Sequence, residues 1–214
     1  ITILFTFINM TKNYSEMLKL YKPKTLFWYN KLKFFLFPFI KLETLVPKTG
    51  FIIDLGCSHG LLANFLGITS DEREILGVEM NENRLKFANI GIKNTKFKAG
   101  DITKINIPQT DCIIFTHVLH HLFTYKDQEN LLEFCYKKLK PGGKLIICEV
   151  NKYPKWKYII SLIADKVLYP FEKINFLSIE NLKNLLIKMN FNVEIIPMHK
   201  GSVFSHITLI AKKN

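Results

Sequence analysis

A chain of 214 residues with 48% hydrophobic and 22% charged side chains has the size and composition of one ordinary globular domain. Disordered, collagen-like and disulfide-stapled classes are excluded by that composition. The longest apolar run in the aromatic-rich N-terminal region, Phe34 to Ile40, has 7 residues, against roughly 20 for a bilayer-spanning helix, so no transmembrane helix is expected.

The net charge is +12, and its distribution is uneven. Residues 1–50 carry eight Lys and two Glu, and residues 151–214 carry ten Lys and four acids, while residues 51–150 are neutral. Basic flanks point to an anionic partner. The alternative is compositional bias, since Asn and Ile are also abundant and Arg occurs only at Arg73 and Arg84. Four cysteines without a C-x-x-C pair fit buried free thiols in a reducing, cytoplasmic setting. Residues 1–9 lack the features of a signal peptide, and Met10 resembles an ordinary start. They are expected to be a non-native or disordered upstream extension.

In chain order, an aromatic and Lys-rich N-terminal region (residues 1–44) predicts a helical cap or lid. Residues 45–214 then alternate short apolar runs with longer amphipathic ones, the pattern of a doubly wound α/β sheet. Strands are predicted at 51–55, 75–79, 96–99, 112–116 and 144–150. Helices are predicted at 60–66, after the cap Asn81 through Leu85 to Asn89, and at 128–139 before Pro141-Gly142-Gly143. An insertion at about 151–177 holds a helix from Trp156 to Leu168. A helix at 179–189 and strands at 193–197 and 206–211, linked through Gly201, complete the chain.

The strand-to-helix turn Asp54-Leu55-Gly56-Cys57-Ser58-His59-Gly60 is the strongest local signal, because glycines let backbone N–H groups approach a ligand. It is neither G-x-G-x-x-G nor a G-K-[ST] loop, which weakens dinucleotide and nucleoside-triphosphate readings. Glu79, at the end of the second strand, can accept hydrogen bonds from vicinal ribose hydroxyls. Gly100-Asp101-Ile102 follows the third strand and suits a purine amine. All three sit at carboxyl ends of predicted strands, where open sheets bind ligands.

These residues, with Asp111 to Leu122 and Leu139-Lys140-Pro141-Gly142-Gly143, give a sequence that resembles the class I S-adenosylmethionine-dependent methyltransferases over about residues 45–150. The resemblance implies a Rossmann-like seven-stranded sheet, mostly parallel with the last strand antiparallel. It implies S-adenosylmethionine as cofactor and S-adenosylhomocysteine as product. By that resemblance Asp54, Gly56, Cys57, Ser58, His59 and Gly60 wrap the methionine part and Glu79 holds the ribose, with Met80 beside it. Asp101 and Ile102 hold the adenine, and Thr116 and His117 lie near the sulfonium. Ser58 departs from the family pattern, which has glycine there.

Methyl transfer from a sulfonium asks the protein for alignment, desolvation and a base where the nucleophile carries a proton. The candidate catalytic residues are His117, His120, His121 and Glu149. His117-x-x-His120-His121 has helical metal-ligand spacing, but no further ligand cluster accompanies it and no metal is expected. After the fourth strand the family's base-amino methylating members carry an [Asn/Asp]-Pro-Pro-aromatic signature. Here Thr116-His117-Val118-Leu119 stands instead, which weakens an RNA-directed reading. Aromatic and Lys residues interleave at 22–41, and again after Glu149 with Tyr153, Trp156, Tyr158, Tyr169 and Phe171. They suit a small hydrophobic or lipid-like acceptor and docking on an anionic membrane surface, hence a cytoplasmic enzyme that is peripheral at the membrane. An RNA-directed methyltransferase and a non-catalytic cofactor-binding or membrane-associated module are the alternatives.

Overall fold

The computed structural model describes residues 13–168, 175, 177–200 and 202–214, without the side chains of residues 165, 167 and 168. The expectations placed on residues 1–9, Tyr169, Phe171 and Gly201 lie outside the described residues. The chain is α/β, with seven strands in a mixed sheet, and it divides into two compact units at Ile102/Thr103.

In the first unit, β1 (Gly50–Leu55), β2 (Arg73–Glu79) and β3 (Thr95–Ala99) are parallel in the order β3-β2-β1. The register pairs Leu55 with Val78 and Glu79 with Ala99, so the ends of all three strands are aligned. Each begins one or two residues before its apolar run, or at it. Four helices accompany them: α1 (residues 13–19), α2 (Lys24–Leu36), α3 (Phe39–Leu45) and α4 (Leu61–Thr69). A short α5 (Glu82–Leu85) is capped by the Asn81 side chain, as expected, but is one turn long rather than running to Asn89.

The aromatic residues of the N-terminal region are partly accounted for by packing. Tyr14, Phe34 and Phe39 gather with Phe65 of α4, with ring centroids 5.2 Å apart for Phe34–Phe65 and 6.0 Å for Tyr14–Phe65. Tyr21 accepts a hydrogen bond from Asn64 Nδ2 at 2.9 Å. Arg73, fully buried at the start of β2, donates to Glu43 Oε1 of α3 at 3.0 Å and to the Pro47 carbonyl at 2.7 Å. A buried guanidinium needs this many acceptors to offset its desolvation.

In the second unit β4 (Thr110–Thr116) and β5 (Leu139–Val150) are parallel, and β7 (His206–Lys213) runs antiparallel to both β5 and β6 (Phe191–Pro197). The expected antiparallel last strand is therefore present. Between them lie α6 (Tyr125–Lys138), α7 (Lys155–Leu168) and α8 (Ile179–Lys188). The expected stop of α6 at Pro141-Gly142-Gly143 needs correction: the helix ends at Lys138 and Leu139 already belongs to β5. The Thr110–Leu139 pair is followed by Cys112–Lys144, so Pro141-Gly142-Gly143 forms a bulge within the strand. Proline lacks the N–H that a regular ladder needs, and Gly142 takes φ 75°, so a bulge is where this tripeptide fits. The start of α6 is fixed by Thr124, whose hydroxyl accepts from the Asp127 N–H while the Asp127 carboxylate accepts from the Thr124 N–H.

Candidate active site

In the first unit the chain leaves β1 through a turn built on left-handed backbone: Gly56 has φ 74°, Ser58 φ 53° and Gly60 φ 70°. The N–H groups of Gly56 and Cys57 both donate to the Val78 carbonyl, at 2.8 and 2.9 Å, which pins the turn to β2. A Cβ on Gly60 would lie 2.7 Å from the Phe97 ring and 2.9 Å from Ala88 Cβ, so the close approach here requires glycine. Ser58 pays a steric cost that glycine would not, roughly 1–2 kcal/mol for an L residue in this region.

Glu79 is 8% exposed, and its carboxylate is held at both oxygens. Oε2 accepts from the Ser58 N–H at 2.9 Å, and Oε1 accepts from the Asn81 N–H at 2.8 Å. Each oxygen retains a second lone pair for a ligand. The Glu79 carbonyl accepts from the Gly100 N–H at 3.0 Å, which brings Asp101 and Ile102, both half-buried, to the same strand ends. Met80 is exposed beside them.

Asp54 is buried at the end of β1, and the Ala63 N–H in the first turn of α4 donates to its carboxylate. Its Oδ2 is buried without a hydrogen-bond partner. Burial raises its pKa to about 7, with the nearby Glu79 charge adding to the rise and Lys33 and the Ala63 N–H opposing it. The Cys57 thiol is pushed well up, first by burial and then by Asp54 and Glu79. The pKa of His59 is lowered to about 4 by burial, then by Lys33 and Arg84. A neutral imidazole 5.5 Å from the Tyr29 ring centroid therefore packs rather than ionises at neutral pH. Tyr29 and Lys33, both on α2, bear on this turn; from sequence they read only as part of the aromatic and Lys-rich cap at 22–41, because helix–turn contacts across some 25 residues leave no local signal.

These residues fit the cofactor that the sequence resemblance implies. A paired hydroxyl would meet the remaining lone pairs of Glu79, and an ammonium would satisfy the orphaned Asp54 Oδ2.

In the second unit β4 ends at Thr116, and His117 follows with φ 56° and its N–H bonded to the Cys148 carbonyl at 2.9 Å. The 3-10 turn Leu119–His121 then sets His120 Nδ1 2.5 Å from Glu149 Oε2 at the end of β5. Glu149 Oε1 accepts from the Leu119 N–H at 2.9 Å, so the carboxylate is fixed on both sides. With Nδ1 donating to a carboxylate, His120 keeps its basic lone pair on Nε2. Both side chains are buried.

The ring centroids of His117 and His120 are 5.7 Å apart and those of His120 and His121 are 4.3 Å apart. His206 joins the group 4.9 Å from His117 and was not singled out from sequence. It arrives because antiparallel pairing sets it opposite Val150, a register that no local pattern announces. Its pKa is lowered to about 3 by burial and then by Lys157. Among the described residues no group of three or more His, Cys, Asp or Glu is arranged to hold a metal ion.

A small cleft beside the His120–Glu149 pair has apolar walls from Leu119, Val150, Ile179 and Leu182, with Gln128 as a further polar group. Asn175 closes the adjoining loop, its N–H donating to the His120 carbonyl at 2.8 Å and its Nδ2 to the carbonyls of Leu122 and Phe123. Gln128 Nε2 donates to the Asn175 carbonyl at 2.8 Å, while Gln128 Oε1 is buried without a partner.

A family model described as a methyltransferase domain matches residues 32–195. A ubiquinone biosynthesis O-methyltransferase of Pseudomonas savastanoi is 23% identical over 124 residues, 55% of this chain and 51% of that protein. The mitochondrial ubiquinone biosynthesis O-methyltransferase of Rattus norvegicus is 26% identical over 169 residues, 70% of this chain and 47% of that protein. The chain thus spans about half the length of these curated relatives. Among solved structures, an O-methyltransferase family 2 protein from Planctomyces limnophilus in complex with apigenin superposes with a TM-score of 0.68 at 17% identity. That likeness covers 82% of this chain and 56% of that one. A methyltransferase from Mesorhizobium loti gives a TM-score of 0.65 at 16% identity, covering 81% of this chain and 96% of that one.

Proposed function

We propose that this chain, which belongs to the class I S-adenosylmethionine-dependent methyltransferase family, transfers a methyl group from S-adenosylmethionine to a hydroxyl of a small, hydrophobic or lipid-like acceptor. The observation that carries the hydroxyl acceptor is the buried His120–Glu149 pair. When bound, the cofactor supplies an electrophilic methyl group on a positive sulfonium. Glu79 accepts the ribose hydroxyls, Asp54 takes the amino group, and Asp101 and Ile102 border the adenine. Gly56, Cys57, Ser58, His59 and Gly60 shape the turn, with Met80 at its margin. By the family resemblance, Thr116 and His117 are the residues expected near the sulfonium.

His120 takes the acceptor proton at Nε2, and Glu149 holds the Nδ1–H so that the imidazolium is stabilised as it forms. His117 and His121 flank this base. Burial keeps water from competing for the proton. The names of the relatives, two of them O-methyltransferases of ubiquinone biosynthesis, support an oxygen acceptor of apolar character.

The test is transfer of a labelled methyl group from S-adenosylmethionine into fractionated cell extract, with His120→Gln as the comparison. Label in the organic-soluble fraction, lost in the variant, supports this reading. Label in RNA or protein overturns the small acceptor, and organic label that persists undiminished in His120→Gln overturns the base.

A further inference from the structure

We infer that the outward face of α2 is a docking surface for an anionic lipid bilayer. A helix packed on a protein normally turns polar residues to water. The exposed positions of α2 are Lys24, Thr25, Trp28, Lys31, Leu32 and Phe35, a single helical face. Trp28 is 61% exposed, Leu32 58% and Phe35 79%. The opposite face is already occupied, since Leu26 and Asn30 are buried and Phe34 packs on Tyr14 and Phe65. The outward stripe is therefore not this helix's share of the core.

Its charge says what covers it. From Met17 to Leu42 the sequence has six lysines and no acidic residue. Lys24 and Lys31 lie on the same face as the stripe, and Lys31 Nζ stands 4.9 Å from the Trp28 ring centroid. A dry protein partner would have to bury those ammonium groups, whereas a bilayer surface takes the apolar side chains into its acyl boundary and leaves the lysines among anionic headgroups. No helix among the described residues is long and apolar enough to cross a membrane, so the contact is at the surface. Docking here is independent of the catalytic assignment, because it is read by vesicle binding and not by methyl transfer.

The experiment is co-flotation of the full chain with vesicles of phosphatidylcholine alone or with phosphatidylglycerol, at low and high salt. The intact chain is expected to bind the anionic vesicles, to lose binding in high salt, and to leave the neutral ones. Trp28→Ala with Phe35→Ala should weaken partitioning about tenfold or more, the scale set by two lost aromatic insertions. Lys24→Gln with Lys31→Gln should remove the preference for anionic lipid. Circular dichroism is the check that the variants are folded. Absence of binding by the intact chain, undiminished binding by the folded Trp28/Phe35 variant, or self-association that these substitutions abolish without any lipid binding would each overturn the proposal.

Discussion

At the Gly56–Gly60 turn the ligand-facing groups are set by backbone conformation, whereas around His120 they are set by side chains meeting across strand ends. In the first region three residues at positive φ, two N–H groups on the Val78 carbonyl and two more on Glu79 define the geometry. In the second, a buried carboxylate orients one imidazole, with the His117 and His121 rings beside it and His206 packed on His117. A backbone-built site is damaged by adding atoms and a side-chain site by removing them. That difference is open to direct measurement.

The largest effect is expected from Gly60→Ala, which needs φ 70° and thrusts a methyl group against Phe97 at 2.7 Å. Strain and overpacking together should cost about 2–4 kcal/mol, read as a fall in thermal denaturation midpoint. A near-neutral result would mean that the turn can open without loss. His120→Gln should lower turnover about 100-fold or more while leaving cofactor affinity in calorimetry unchanged. Equal loss of both would erase the distinction between the regions.

Glu79→Ala should weaken cofactor affinity by about 1–3 kcal/mol, since it removes the acceptors for two hydroxyls and strands the Ser58 and Asn81 N–H groups. Unchanged affinity would show that the ribose lies elsewhere. Changes in pH sharpen the contrast further. Asp54 has its pKa raised from the usual 3.8 to about 7, so between those values the folded chain retains a proton that the unfolded chain has released. Its contribution to stability is complete below 3.8 and is lost as pH rises through about 7. His206 has the opposite sign: with its pKa lowered from 6.5 to about 3, its contribution is complete above 6.5 and is lost as pH falls toward 3. An amino group held by Asp54 favours the ionised carboxylate. Cofactor affinity should therefore rise with pH up to about 7, and Asp54→Asn should flatten that rise in calorimetry across the range.

What the sequence made legible follows from how each feature is encoded. β1, β2 and β4 are short apolar runs ended by turn residues, and their cores are read correctly because burial on both faces demands such runs. The strand-end positions of Glu79 and Asp54 were legible because each closes an apolar run, Asp54 directly before a glycine-containing turn. The start of β5 was not, since Pro141-Gly142-Gly143 is ordinarily a terminator and only pairing with β4 turns it into a bulge. Asn81 correctly marked the start of α5, but its length depended on tertiary packing. His206 is placed by antiparallel register with β5, and the outward face of α2 is fixed by which aromatic rings α4 recruits. Both are non-local, and hydrophobic periodicity carries no record of them. Trp28 and Phe34 are equally apolar in the sequence, yet only Phe34 finds a protein partner in α4.

The Arg73–Glu43 pair bears on how this protein could be cut or recombined. A fragment beginning after residue 44 would keep the guanidinium at the root of β2 and discard the carboxylate that neutralises it, leaving a buried cation with neutral acceptors such as the Pro47 and Leu66 carbonyls. Breaking a buried pair from one side typically costs about 3–5 kcal/mol, a large share of a domain's total stability. Grafting α1–α3 onto a related core that lacks an arginine at this place would create the converse fault, an interior carboxylate that has lost its buried cation and keeps only a half-exposed one of the Lys48 kind. Helices and strand can therefore be exchanged between homologues only as a matched set, and chimeras that respect the pair should express where those that split it do not.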